Sequence, residues 1–102
     1  MIIAALTSNG RQEISLTEQG PDLSGRERGL AIRESVDLGA QEVIFDLYGV
    51  ETVSPSFADE LFGKLSVQAN RPAGLKIANA ASDVAQVIQF AVRERQRGGS
   101  PA

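Results

Sequence analysis

Two short runs of residues at the start of the chain predict a β-hairpin. Residues 1–7 are mostly apolar, and an Asn-Gly pair at 9–10 separates them from a second run at 11–16. Asn-Gly favours a two-residue hairpin turn because both residues accept a positive φ. The second run alternates, which predicts a strand with one buried face and one solvated face. The face predicted to be buried carries Gln12, Ile14 and Leu16.

Apolar residues at helical spacing predict the first helix, over residues 25–38. The spaced positions are Gly29, Ile32 and Val36. Ser24, with Glu27 three residues later, forms a candidate capping box, and Asp22 is an alternative cap. Gly39 suits the position just beyond a helix C-terminus. The segment therefore indicates an amphipathic helix that begins soon after the Gly20-Pro21 break.

A second helix is predicted from about residue 54 to residue 70. Two N-caps compete: Ser54 with Pro55 at the first helical position, or Ser56 with Asp59 in a capping box. The sequence leaves this choice open. The apolar stripe of the helix is Phe57, Leu61 and Leu65.

The remaining elements complete a predicted α/β domain with the order β-β-α-β-α-β-α. Residues 42–48 are nearly continuous in apolar character, which predicts a strand buried on both faces. A further strand at 75–79 precedes a last helix that starts at 82 and fades by 97. We expect one domain over residues 1–97, a disordered tail over 98–102, and a mixed sheet of about four strands. About three helices should cover mainly one face of that sheet.

The amino-acid composition excludes several kinds of catalytic and metal site. The chain has 102 residues, a net charge of −3, and neither Cys nor His. The commonest general base and any Cys/His metal site are therefore absent, and we expect neither an enzyme nor a cofactor. Acidity argues against nucleic-acid binding, because phosphate contacts need Lys and Arg. The apolar run at 1–6 is too short for a signal peptide or a membrane span, so we expect a cytoplasmic protein without membrane contact.

The segment at 45–65 carries the most specific pattern in the chain. It reads FDLYGVETVSPSFADELFGKL, and it resembles the STAS-like domain family of unassigned function. More distantly it is similar to sulfate-transporter and anti-sigma-factor-antagonist domains, and this resemblance implies a bacterial regulatory protein. On that pattern Ser56 lies at the regulatory phosphoserine, and Ser54 replaces an Asp. The chain departs from the pattern at two further positions. It has Pro55 where the pattern has Ser, and Phe57 where the pattern has Gly.

The resemblance implies a regulatory protein-binding module and a set of site residues. Ser56 is the candidate phosphoacceptor, and the alternative for it is a helix cap. The implied partner is a protein, either an ATPase of the histidine-kinase type or a serine kinase, which would supply the ATP. The junction predicted to face the partner comprises Asp46, Gly49, Ser54, Ser56, Phe57, Asp59, Glu60 and Lys64.

Several of these polar residues also have structural interpretations. Asp46 is more often a receiver of loop N–H groups than a ligand contact. Asp59, Glu60 and Glu51 could bind a hard cation, but acidic residues in a first helical turn also stabilise the helix dipole. The arginines at 93, 95 and 97 are typical of a solvated helix C-terminus.

The alternative function is a structural adaptor or self-associating domain without a phosphorylation switch. The run at 1–6 is apolar and uncharged. If it forms an exposed edge strand, its free backbone groups would pair readily with another chain. This alternative predicts a homodimer through the N-terminal hairpin.

Overall fold

The computed structural model describes residues 5–8, 10–37, 39–68 and 74–98. Within them the strands are β1 (Ala5–Ser8), β2 (Arg11–Ser15), β3 (Asp22–Leu23), β4 (Glu42–Asp46), β5 (Thr52–Val53) and β6 (Gly74–Ala78). Helix α1 is Arg26–Glu34 and helix α3 is Ser82–Gly98. Helix α2 lies between them in three joined segments: Pro55–Ala58, Asp59–Gly63 and Lys64–Val67. The prediction of a mixed α/β domain is confirmed.

The main sheet has the strand order β1-β2-β4-β6. Strands β1 and β2 pair antiparallel, with Ser8 opposite Arg11. This register leaves a two-residue turn at the predicted Asn-Gly pair, and Gly10 has φ +79° there; residue 9 itself lies outside the described residues. Strand β4 pairs parallel with both β2 and β6. The β4 strand is therefore central, and β1 and β6 are the edges of the described sheet.

The sheet is buried on one face only. Gln12, Ile14, Val43 and Phe45 are buried, and the residues between them are at least partly exposed. The prediction that β4 is buried on both faces is wrong, because Ile44 lies on the half-exposed outer face. All three helices pack against one another and cover the buried face of the sheet. Phe45 and Phe62 meet edge to face in the core, with ring centroids 5.1 Å apart.

Helix α1 is shorter than predicted and is capped differently. It begins after Gly25, which has φ +90°, and no side chain caps its N-terminus. The capping box of Ser24 with Glu27 is therefore wrong, as is the alternative cap at Asp22, which belongs to β3. The helix ends at Glu34, so Gly39 does not follow its C-terminus, and the Gly39 N–H instead donates to Asp37 Oδ1 at 2.9 Å. The predicted inward positions Gly29, Ile32 and Val36 are all buried.

Helix α2 contains one turn of π-helix between two α-helical turns. The N–H of Lys64 reaches back five residues to the carbonyl of Asp59, instead of four. The residues at both junctions keep right-handed helical dihedrals, so the helix is continuous over 55–67. The extra residue rotates the side chains before the turn relative to those after it.

Two short strands were missed in the predicted element order. Strands β3 and β5 pair in parallel as a separate two-stranded sheet, with Leu23 opposite Val53. Each of these strands is only two residues long and so shows no alternation of apolar and polar residues from which it could be predicted. Helix α3 extends to Gly98, one residue into the predicted tail, and residues 99–102 lie outside the described residues.

Candidate functional site

The loop after β4 is held by side-chain hydrogen bonds. Asp46 Oδ1 accepts the N–H of Tyr48 and the side-chain amide of Asn79, each at 3.0 Å. Thr17 Oγ1 donates to the Tyr48 carbonyl at 3.0 Å. Gly49 follows with φ +81°, a conformation that favours glycine. Asp46 thus receives a loop N–H, as its structural interpretation predicts, and the loop is held by side chains of Asp46 and Thr17.

This loop presents an exposed aromatic ring. Tyr48 is 68% exposed although the backbone on both sides of it is anchored. Tyrosine on a rigid support is a favourable contact residue, because little conformational entropy is lost when it binds. The sequence reasoning did not select Tyr48. The available signal was the chain's single Tyr, placed before a turn glycine at the carboxyl end of a strand.

Ser54 caps helix α2. Its Oγ accepts the N–H of Phe57 at 3.1 Å, and Pro55 occupies the first helical position. Ser56 lies inside the first turn, with its Oγ 3.2 Å from that of Ser54. The capping box of Ser56 with Asp59 is therefore wrong, because Pro55 fixes the φ that starts the helix two residues earlier. Ser56 is half-buried in a turn where Pro55 has no N–H and the Phe57 N–H is already bound by Ser54.

Phe57 cannot contribute to a partner-facing surface. Its side chain is completely buried in the core. The pattern at 45–65 placed it beside the candidate phosphoserine, but the helical repeat directs it inward with Leu61 and Leu65. The exposed or half-exposed members of the predicted set are Asp46, Gly49, Ser54, Ser56, Asp59 and Lys64.

Asp59 is bound by arginines from two other helices. Arg95 of α3 donates from Nε to Oδ1 at 2.6 Å and from a terminal nitrogen to Oδ2 at 2.9 Å. Arg26 of α1 also donates to Oδ2, at 2.9 Å. The hydrogen bonds from Arg95, and secondarily those from Arg26, lower the pKa of Asp59 to about 2. Arg95 is therefore an interhelical partner and not part of a solvated basic tip.

Glu60 is buried and turned toward α1. Only 5% of the residue is exposed, and Arg33 donates to its Oε2 at 2.8 Å and to its carbonyl at 2.9 Å. Lys64, one turn later, lies 2.9 Å from Oε1. Hydrogen bonds from Arg33 and then Lys64 hold the pKa of Glu60 below its usual value. A buried carboxylate of this kind needs such partners, because an unpaired charge would be costly.

Asp59 and Glu60 point about 100° apart because they are consecutive residues on a helix. Asp59 therefore binds Arg95 of α3 as well as Arg26 of α1, whereas Glu60 binds Arg33 of α1. We call these two carboxylates, with Arg26, Arg33, Lys64 and Arg95, the ion-pair network. It joins α1, α2 and α3 through the π-helical turn. The alternative of a cation site at Asp59, Glu60 and Glu51 is not supported, because arginine and lysine side chains already bind both helical carboxylates and Glu51 is exposed in a separate loop. Within the described ranges, no three Asp or Glu side chains come together in a group that could hold a metal ion.

Two glycines allow the helices to approach at this network. A Cβ on Gly63 would lie 2.9 Å from both Arg95 Cγ and Asp59 Oδ1, and 3.2 Å from the Ala91 carbonyl. A Cβ on Gly29 would lie 3.1 Å from Glu60 Cβ and from the Phe57 carbonyl. The absence of a side chain at these two positions is what lets the ion pairs form at hydrogen-bonding distance.

The comparison with known proteins agrees with this architecture, in which helices cover one face of a small mixed sheet. The model of a family described as STAS-like domain of unknown function (DUF4325) matches residues 30–85. The chain belongs to this STAS-like family. The matched region contains β4, the Tyr48 loop, all of α2 and its π-helical turn. No curated protein and no solved structure matches the chain.

The helices were also compared with the length and polarity that a membrane span needs. Among the described residues, no helix is both long enough and apolar enough to cross a bilayer.

Proposed function

We propose that this STAS-like domain is a regulatory protein–protein interaction module that resembles an anti-sigma-factor antagonist. Its partner-facing surface would consist of the Tyr48 loop and the first turn of α2. The proposal includes binding and not catalysis, and any ATP would belong to the partner. The observation that supports it most is Tyr48, an exposed aromatic ring on an anchored loop.

Phosphorylation of Ser56 is the proposed switch. A phosphate on Ser56 would lie in the first turn of α2, where the helix dipole stabilises negative charge. Asp59, one turn on, would repel it if its charge were unpaired. Asp59 instead binds Arg95 and Arg26, so much of that repulsion is offset. The modified serine would add charge at the edge of the Tyr48 surface and thereby change partner affinity.

Intact-mass spectrometry of the protein from its native cells, with the phosphosite mapped, tests the switch. A substoichiometric phosphate on Ser56 is expected, and Ser56→Asp should then change partner binding while Ser56→Ala does not respond to the kinase. If Ser56 stays unmodified across growth conditions and with candidate kinases present, the switch is refuted and a constitutive partner becomes the working hypothesis.

Quantitative cross-linking in the same cells tests the surface. We expect at least one protein to cross-link to the wild type, and Tyr48→Ala to reduce its yield at least fivefold, as for an aromatic hot spot. Glu13→Gln, on the open face of β2, is the matched surface control and should leave the yield unchanged. A partner that is insensitive to both Tyr48→Ala and Ser56→Asp would place the interface elsewhere.

The self-association alternative rests on one observation. Strand β1 is an edge of the described sheet, as the N-terminal hairpin hypothesis requires. Light scattering coupled to size-exclusion chromatography distinguishes the two functions, because a dimer that persists at micromolar concentration supports the adaptor and a monomer supports the regulatory module.

A further inference from the structure

Among the described residues, none pairs with the outer edge of strand β6. The Gly74 N–H donates to the Gln41 carbonyl and the Leu47 N–H donates to the Ala78 carbonyl. In a parallel ladder the alternate residues bond to one neighbour, so the N–H and C=O groups of Leu75 and Ile77 point away from β4. No described residue pairs with them on that side. The edge therefore offers two donors and two acceptors to an added strand.

A cavity adjoins this edge on the helical side of the sheet. It measures about 490 Å³ and lies between β6, α3 and the second half of α2. Its apolar wall includes Leu65, Leu75, Ile77, Ile88 and Val92. The volume falls within the range of roughly 300–1,000 Å³ that is usual for binding pockets. The same two residues, Leu75 and Ile77, present their backbone to the edge and their side chains to the cavity.

The rim of the cavity carries one arginine that makes no ion pair with the described residues. Arg93 on α3 is exposed and lines the cavity mouth with Gln89 and Gln96. The two arginines that follow it on α3 are already in ion pairs, Arg95 with Asp59 and Arg97 with Glu94. A guanidinium in this position favours a carboxylate on whatever enters.

We propose that the β6 edge and the adjoining cavity bind an extended peptide of a partner protein. The peptide would add a strand beside the four described, through backbone hydrogen bonds to Leu75 and Ile77. It would place an apolar side chain in the cavity and an Asp or Glu against Arg93. Free backbone groups on an edge, next to an apolar groove under a helix, are what strand addition uses in peptide recognition. The site shares no residue with the Tyr48 surface and does not depend on it.

The test begins with a displayed library of random nine-residue peptides selected on the full wild-type chain. The most enriched sequence is then synthesised, and its dissociation constant is measured by fluorescence anisotropy. We expect enriched peptides to alternate apolar and polar residues and to contain an acid. Amide hydrogen exchange should show new protection at Leu75 and Ile77 when the peptide is bound.

Three variants separate the components of the site. Ile77→Pro removes an outward N–H together with one apolar side chain of the cavity wall, spares the backbone groups that bond to β4, and should weaken binding at least tenfold. Arg93 lies on an exposed face of α3, so Arg93→Glu should leave the fold and the β6 edge intact. This variant should weaken binding at least fivefold. Lys76→Ala is the control, because that side chain lies on the opposite face of β6 and binds Glu42; affinity should change less than twofold.

Three results would overturn the proposal. They are no enrichment on the wild type, an enriched peptide that binds Arg93→Glu and Ile77→Pro as tightly as the wild type, and binding without protection of the Leu75 and Ile77 amides. Protection of these amides in concentrated protein without peptide would also overturn it, because a second copy of the chain would then be the occupant.

Discussion

Replacing Asp59 by Asn measures how much the ion-pair network stabilises the fold. The substitution keeps the size of the side chain but removes the charge that Arg95 and Arg26 bind. The size of the expected loss in unfolding free energy follows from the pKa of Asp59, which is lowered from the usual 3.8 to about 2. Each unit corresponds to about 1.4 kcal/mol, which sets an upper limit near 2.5 kcal/mol on the contribution of this carboxylate.

The expected loss is smaller than this limit, because water screens the pair. The Arg95 side chain is 36% exposed, and exposed ion pairs contribute only about 0–1 kcal/mol. Asp59 itself is only 22% exposed and accepts three hydrogen bonds. We therefore expect Asp59→Asn to lower the unfolding free energy at pH 7 by about 1–2 kcal/mol.

The pH dependence gives a second, independent readout. The pKa of Asp59 is lower in the folded protein than in the unfolded chain, so its stabilisation is present above about pH 4 and is lost as the pH falls toward 2. Urea unfolding followed by circular dichroism at several pH values from 2 to 7 should show a shallower acid decline for Asp59→Asn than for the wild type.

The control is Glu13→Gln, which removes the same charge from an exposed position on the open face of the sheet. It should change the unfolding free energy by less than about 0.5 kcal/mol. The reasoning is refuted if both variants lose the same stability at pH 7, or if the acid decline of Asp59→Asn matches that of the wild type between pH 4 and 2.

Three further substitutions test local features by the same urea assay. Gly63→Ala should destabilise by about 1–2 kcal/mol despite the better helix propensity of Ala, because its Cβ would overlap two side chains; Gly74→Ala, which has ordinary contact distances, should not. Ser54→Ala should cost about 1 kcal/mol as the lost N-cap, and Ser56→Ala less than half of that; equal losses would contradict the assignment. Gln12→Leu should cost about 1–2 kcal/mol, because this buried amide joins β2 to the backbone after α1 and two part-buried backbone groups would lose their partner; an unchanged urea midpoint would show that those groups find other partners.

Elements with several residues at a fixed period were predicted well. The hairpin register followed from Asn-Gly, and the alternation of Gln12, Ile14 and Leu16 marked the buried face of β2. Helix α2 was found from its apolar stripe of Phe57, Leu61 and Leu65. The segment at 45–65 also led to the STAS-like family that the family comparison confirms. These features depend on neighbours close in sequence, which a single sequence contains.

The ion-pair network was missed because its partners are distant along the chain. Arg33 is 27 residues from Glu60, and Arg95 is 36 residues from Asp59. Each arginine, taken alone, is a typical exposed helix residue, and only the packing of three helices brings it to a carboxylate. Tyr48 was missed for a related reason, since its exposure depends on how Asp46 and Thr17 fix the loop.

The parallel order of the main sheet has a consequence for synthesis of the chain. Strand β2 finds its parallel partner β4 about 30 residues later, and β4 finds β6 about 30 residues later again. As the chain leaves the ribosome from its N-terminus, both strands of the hairpin are available together, whereas β4 has only one of its two neighbours until β6 has been synthesised. During that interval the apolar residues of β4 are open to chaperones and to other nascent chains. The speed of translation between residues 46 and 74 is therefore expected to influence the yield of folded protein.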